Sequence, residues 1–173
     1  RKVWRDNTEE ERLLGVSLTG IMDNANLNAH SPDLEKTLSG LKQEAIRTNE
    51  KLAKKLDIPV SAAITCVKPS GTVSQLVDSA SGIHPRHSEF YVRTVRGDNK
   101  DPLTKFMKEM GVPNEPAVAS ENSVTVFSFP CRSPQEGSVT RDKLDAIQHL
   151  TIWKAYAEHW CEHKPSITVS VKE

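Results

Sequence analysis

The chain has 173 residues, with 23 Lys plus Arg against 23 Asp plus Glu. That length suits one domain, and the balance leaves no global field to recruit nucleic acid or an anionic membrane, so any anion site must be local. No apolar run approaches the ~20 residues of a membrane span, so neither a membrane nor nucleic acid is expected as a partner.

A chain of this size hides roughly 70% of its extended surface, enough for a true core. The three cysteines, Cys66, Cys131 and Cys161, are odd in number and far apart, with no Cys-x-x-Cys. This argues against a secreted disulfide framework and for a reducing, cytoplasmic compartment. The first residue is Arg1, and the last residues fall in or just after a strand pattern. Residues 1–173 therefore read as one partial domain truncated at both ends, and the lack of a targeting segment decides nothing.

In chain order, Thr8-Glu9-Glu10-Glu11 can start a helix, a hydroxyl cap followed by acids at the positive end of the dipole. The glycines of Leu14-Gly15-Val16-Ser17-Leu18-Thr19-Gly20 suggest close backbone packing. Ser31-Pro32-Asp33 is a helix start. Leu34, Leu38, Leu41, Ala45, Leu52 and Leu56 then give one apolar face, ended by Pro59. Residues 61–67 read as a buried strand, bounded by prolines. A loop at 68–74 leads to a short helix. Tyr91 to Val95 reads as a strand, Asp101-Pro102 caps a short helix ending at Gly111, Ser123 to Phe129 is a strand, and 130–137 is a polar turn. Thr140 starts a long helix with Leu144, Ile147, Leu150, Trp153, Ala157 and Trp160 inward. Pro165 ends it, and 166–171 is a last strand. The alternation implies an α/β layout with a largely parallel sheet or barrel.

The segment with the most chemistry is Lys68-Pro69-Ser70-Gly71-Thr72-Val73-Ser74. Gly71 lets the backbone turn freely; Ser70, Thr72 and Ser74 supply hydroxyls; the N–H groups opening the next helix lack partners and sit at its positive end. An anion placed there meets dipoles already aimed at it, with Lys68 near. The spacing is not that of the P-loop of ATPases. An ordinary capped Pro-Ser-Gly turn fits the same letters.

The string Thr65-Cys66-Val67-Lys68-Pro69-Ser70-Gly71-Thr72-Val73-Ser74 resembles the substrate-phosphate loop of the monomeric, adenosylcobalamin-dependent (class II) ribonucleoside-triphosphate reductases. Arg12 to Gly20 with Asp23 resembles the segment before that loop. Ser81-Gly82-Ile83-His84-Pro85 with Tyr91-Val92-Arg93 resembles the segment after it, and Pro165 to Val169 resembles a late barrel strand. The resemblance implies most of the second half of a ten-stranded α/β barrel. It implies Pro69, Ser70, Gly71, Thr72, Val73 and Ser74 as substrate-binding residues. It further implies adenosylcobalamin as cofactor, a ribonucleoside triphosphate as substrate, a thioredoxin-type reductant, and the remainder of the reductase chain as partner. The activity implied is reduction of the ribose 2′-hydroxyl by a thiyl radical, for deoxyribonucleotide biosynthesis.

That family carries its radical cysteine in an Asn-Pro-Cys-x-Glu finger loop, and the motif occurs nowhere in residues 1–173. No residue here is therefore expected to be catalytic, and the isolated piece is expected to be inactive. Cys66 reads as apolar filler in a strand, Cys131 as a loop thiol, and Cys161 as a helix-end residue. His159, Cys161 and His163 do not share a helix face and do not have zinc spacing, so no metal is expected. His84, Arg86 and His87 form a basic patch, with Arg86 either on a solvated turn or paired to a phosphate. Arg93 and Arg96 read as a polar sheet face, and Glu9 to Glu11 as a helix start. Two other readings remain: a non-catalytic nucleotide-binding or assembly subunit of a split reductase, and an unrelated phosphate-binding α/β enzyme.

Overall fold

The computed structural model describes residues 1–134 and 136–171. They form two compact units, one from residues 1–87 with 134–173 and one from Ser88–Ser133.

The first unit contains helix α1 (Lys2–Glu11), strand β1 (Val16–Ser17), a 3-10 turn (Ile21–Asp23) and helix α2 (Pro32–Leu56). It continues with strand β2 (Thr65–Cys66), a 3-10 helix (Val73–Val77), a second 3-10 turn (Arg141–Lys143) and helix α4 (Ala146–His159). β1 and β2 run parallel, Val16 opposite Thr65 and Ser17 opposite Cys66. Backbone bonds extend the pairing from Leu14 N–H to Ala63 carbonyl (3.0 Å) through Leu18 N–H to Cys66 carbonyl (3.3 Å). α2 begins as its letters require: the Ser31 side chain accepts the Leu34 N–H, Pro32 opens the first turn, and Asp57 closes the helix in a left-handed conformation. Leu34 and Leu38 of α2 share a buried cluster with Ile152 and Tyr156 of α4 and with Ile21 and Met22. Burial pushes the Tyr156 hydroxyl pKa far up, and that hydroxyl donates to the Leu27 carbonyl (3.0 Å).

The free edge of β2 is filled by the chain just beyond α4. Glu162 N–H donates to Thr65 carbonyl (3.0 Å), Thr65 hydroxyl donates to Trp160 carbonyl, and Trp160 Nε1 donates to Cys66 carbonyl (2.7 Å). The Glu162 carboxylate accepts the N–H groups of Ile64 and Thr65. Burial works to raise its pKa, but the donations from Thr65 and Ile64, with Lys42 nearby, outweigh it and hold the carboxyl below its ordinary value.

The second unit contains β3 (Phe90–Asp98), α3 (Pro102–Glu109), β4 (Asn114–Pro116) and β5 (Val124–Arg132). The three strands form an antiparallel sheet in the order β3-β5-β4, with Phe90 opposite Arg132 and Asp98 opposite Val124. Phe127 is fully buried, and the Asp101 side chain caps α3 by accepting the Leu103 N–H (2.8 Å).

Several expectations change. Among the strands, the parallel pattern holds for β1 and β2; the larger sheet is antiparallel, and the connection at 117–123 between β4 and β5 is too short for a parallel crossover. The strand expected at 61–67 shrinks to Thr65–Cys66, the stretch with partners on both edges. Residues 166–171 form no strand: among the described residues they have no ladder partner, and the Thr168 N–H donates to His84 Nε2 instead (3.0 Å). Pro130 to Arg132 continue β5 rather than turning. α1 starts at Lys2, so Thr8 to Glu11 lie at its C-terminal end and not its start. The last helix starts at Ala146, not Thr140, capped by Asp145 in a capping box with Gln148. Its buried face is His149, Ile152, Ala155 and Tyr156, leaving Ile147 73% and Leu150 41% exposed. On α2, likewise, Leu41, Leu52 and Leu56 are exposed and line a groove of about 850 Å³ with Leu14 and Val16.

Glu162→Gln tests the strand-edge clasp. Because the folded carboxyl titrates below its unfolded value, its contribution is present above the ordinary carboxylate range and lost as pH falls through the lower folded pKa. We expect the variant to be about 1 kcal/mol less stable near neutrality, a hydrogen-bond value kept small because the side chain is partly solvated. Denaturant melts should show that gap closing in strong acid; a gap independent of pH contradicts the clasp.

Candidate functional site

β2 ends at Cys66, and the chain turns outward at Lys68, whose N–H donates to Ser17 Oγ (2.9 Å). The segment 68–74 then meets two others of the same unit, Leu18–Gly20 after β1 and Ser79–His84. Three hydroxyls join them. Thr19 Oγ1 and Ser70 Oγ are 2.7 Å apart, Ser70 Oγ donates to Ser81 Oγ (3.3 Å), and Ser81 Oγ accepts the Gly71 N–H (2.8 Å). The Gly82 N–H donates to both Thr19 Oγ1 (2.9 Å) and Ser70 Oγ (3.0 Å).

Two glycines make this approach possible. A Cβ on Gly82 would come within 2.9 Å of the Lys68 carbonyl oxygen, and its φ is +52°. Gly71 has φ +32°, and the space where its Cβ would project is open. Thr72 follows in the right-handed region (φ −80°, ψ −32°). Turns of this kind can leave successive N–H groups facing one side of the chain; here the Gly71 N–H is taken by Ser81. Among the described residues, the N–H groups of Ser70, Thr72 and Val73 and the Thr72 hydroxyl find no protein acceptor.

Of the six residues named from the sequence, Pro69, Gly71, Thr72 and Val73 are exposed and Ser70 is half-buried, whereas Ser74 is 1% exposed and its hydroxyl donates to the Gly71 carbonyl (3.0 Å), closing the loop. The helix that follows is a five-residue 3-10 helix, not an α-helix. A 3-10 helix this short has little dipole of its own, so what the turn offers an anion is its individual amides. Lys68 lies back over Gly15, its Nζ 2.9 Å from where a Gly15 Cβ would sit.

Arg86 occupies neither place open to it from the sequence. Its side chain is 4% exposed and bound to Asp23, with Nη2 to Oδ2 at 3.0 Å and Nε to Oδ1 at 3.1 Å. Nη1 reaches Asp78 Oδ1 at 3.0 Å, and Nη2 also donates to the Asp78 carbonyl. Asp23 Oδ2 in turn accepts the Ala80 N–H (2.7 Å). His84 Nδ1 lies 3.2 Å from the Ser81 carbonyl while Nε2 accepts from Thr168, which assigns the proton to Nδ1. His149, whose pKa burial lowers, donates Nε2–H to the Ile83 carbonyl (2.9 Å).

Cys66 is fully buried, as a filler should be. Cys161 is buried too, and burial pushes its thiol up to about 11, which keeps it unreactive near neutral pH. Cys131 lies half-buried on β5. No group of His, Cys, Asp and Glu among the described residues is arranged to hold a metal ion, and no described helix is long and apolar enough to cross a membrane.

The parts that the sequence reading did not assign to the site are Thr19, Ser81 and the Asp23–Arg86 pair. Thr19-Gly20 and Ser81-Gly82 each carry a signal, a hydroxyl beside a glycine; the ion pair, 63 residues apart in sequence, carries none.

No protein-family model matches the chain. Among solved structures, the fold is that of part of a crystallised B-12-dependent (class II) ribonucleotide reductase, with TM-score 0.80 and 20% identity over 95% of this chain and 27% of that one. Among curated proteins, the "Probable adenosylcobalamin-dependent ribonucleoside-triphosphate reductase" of Dictyostelium discoideum is 29% identical over 96% of this chain and 22% of its own length. The adenosylcobalamin-dependent ribonucleoside-triphosphate reductases of Euglena gracilis (27% identity, 96% of this chain, 23% of that one) and Lactobacillus gasseri (26%, 82% and 19%) are also similar. The chain spans about a fifth of the length of these relatives. The resemblance read from the sequence is therefore a similarity to one stretch of these reductases.

Arg86→Ala leaves the Asp23 carboxylate, 14% exposed, without its partner. We expect a loss of about 3–5 kcal/mol in denaturant unfolding. The Asp23→Ala, Arg86→Ala double variant should lose less than the sum of the two single variants; additive losses contradict the pairing.

Proposed function

We propose that the chain is the substrate-phosphate part of an adenosylcobalamin-dependent ribonucleoside-triphosphate reductase. On this reading it lies in the second half of a ten-stranded α/β barrel, and Pro69–Ser74 holds the phosphates of a ribonucleoside triphosphate. The observation that carries it is the turn at Gly71 and Thr72, with N–H groups and a hydroxyl unspent within the protein. Phosphate oxygens are acceptors only, so they match a wall made of donors. The similarity to reductases over nearly the whole chain supports the same assignment.

The reaction would remove the ribose 2′-hydroxyl, and adenosylcobalamin, when bound, would supply radical initiation. The cradle is built of small hydroxyls and amides, which suit phosphate oxygens and not the broad face of a corrin. Residues 1–173 therefore bind and orient. The radical cysteine and the dithiol recharged by a thioredoxin-type reductant would belong to the remainder of the reductase chain, in a cytoplasmic setting.

In the full-length protein, Gly71→Val forces a branched side chain onto a positive φ and into the open face of the cradle. Equilibrium binding of ribonucleoside triphosphates should weaken by about tenfold or more, on the order of 1.4 kcal/mol, while binding of the bare ribonucleoside holds. Triphosphate binding equal to the parent removes the loop from the substrate site. Residues 1–173 expressed alone should form no deoxyribonucleotide with adenosylcobalamin and a dithiol; turnover by that piece contradicts the assignment of the radical cysteine elsewhere.

A further inference from the structure

We propose that Asp23 and Arg86, acting through Ser81, are positioning residues that set the phosphate loop before substrate arrives; this rests on the role just proposed for Pro69–Ser74. Neither side chain touches the cradle. Arg86 is spent on Asp23 and Asp78, so it cannot serve as the cation for a phosphate. What the pair holds is the strip that forms the cradle's back wall.

The connections run residue by residue. Asp23 accepts the Ala80 N–H at 2.7 Å and is fixed by the Arg86 fork. The Ala80 carbonyl accepts from Gly20 N–H at 2.8 Å and from Thr19 Oγ1 at 3.1 Å. The next residue, Ser81, accepts the Gly71 N–H, and the one after, Gly82, donates to Ser70 and Thr19. Ala80, Ser81 and Gly82 are thus bound on one side by the ion pair and on the other by the loop. Gly71 sits in a positive-φ conformation, and the Ser81 hydroxyl is the group that fixes its N–H. Moving this strip would displace the hydroxyl that fixes the Gly71 N–H, and with it the turn that presents the unspent Thr72 and Val73 N–H groups.

Stability alone does not account for burying this pair. Well-packed apolar side chains often stabilise such a position as much or more, whereas a fork between a guanidinium and a carboxylate fixes distance and angle together. Asp78 is 84% exposed along its side chain and adds little; the buried contact is with Asp23.

The test uses the full-length reductase with four variants: Ser81→Ala, Ser81→Thr, Asp23→Asn and Gly71→Val. Thermal melts identify folded variants, and Arg86→Lys, which keeps the charge but loses the fork, replaces Asp23→Asn should that one not fold. Calorimetry with a ribonucleoside triphosphate and with its bare ribonucleoside gives an affinity ratio that a purely structural defect leaves unchanged. We expect Ser81→Ala and Asp23→Asn to lower the triphosphate-to-nucleoside ratio about tenfold, the size of a lost hydrogen bond or two. Ser81→Thr restores it, and turnover shows a raised KM with kcat within about twofold. If folded Ser81→Ala and Asp23→Asn bind triphosphate as the parent does while Gly71→Val is weakened, the positioning role is overturned and the loop keeps its own. If all of them bind as the parent does, both are overturned.

Discussion

The backbone at Thr65 is held from both sides. β1 lies along one edge of β2, and residues 160–162 lie along the other, where a carboxylate and a carbonyl complete what a neighbouring strand would otherwise supply. A two-residue strand has too few ladder bonds to persist alone. Here it also receives the indole N–H of Trp160 on the Cys66 carbonyl. The exit direction of the chain at Lys68 is thereby fixed, and the turn at 68–74 starts from it. α4 is tied to the site through the same contact, since its C-terminal end delivers Trp160 and Glu162.

From this exit the cradle forms by convergence. The turn at 68–74, the residues after β1 and the strip before His84 each bring one small hydroxyl to a common point. Small side chains matter because backbones must approach closely there; at Gly82 even a methyl group would collide with the Lys68 carbonyl. Among the described residues, the ion pair beneath the strip is where charge is buried, and it lies behind the cradle, not in it.

Much of this was legible in the letters wherever the determinant was local. Ser31-Pro32, Asp101-Pro102 and the Pro-Ser-Gly-Thr turn each announce themselves, because a cap or turn is decided by residues within reach of one another. What failed was decided at a distance. Of the α4 residues expected inward, Trp160 is buried and Leu144 and Trp153 pack against the core, but Ile147 and Leu150 are exposed; the helix instead buries His149 and Tyr156, whose polar ends find the carbonyls of Ile83 and Leu27. Residues 166–171 carry a strand's composition but no strand lies beside them among the described residues, and composition cannot provide a partner. Thr8 to Glu11 have the letters of a helix start and sit at a helix end, since nothing local marked Lys2 as the beginning. Arg86 looked solvated because its neighbours His84, Pro85 and His87 are polar or turn-forming, while its partner Asp23 is remote in sequence.

The cradle's lining has one consequence for how it would recognise an anion. Its donors are amides and hydroxyls, with the nearby guanidinium neutralised by aspartates and Lys68 turned toward Gly15. Such groups exert short-ranged fields, unlike a cluster of free cations, whose attraction extends to about a Debye length. A loop of this kind gathers no ions from a distance. On the proposed reading, it would discriminate at contact, by whether oxygens fall where the N–H groups point, and so favour shape over total charge.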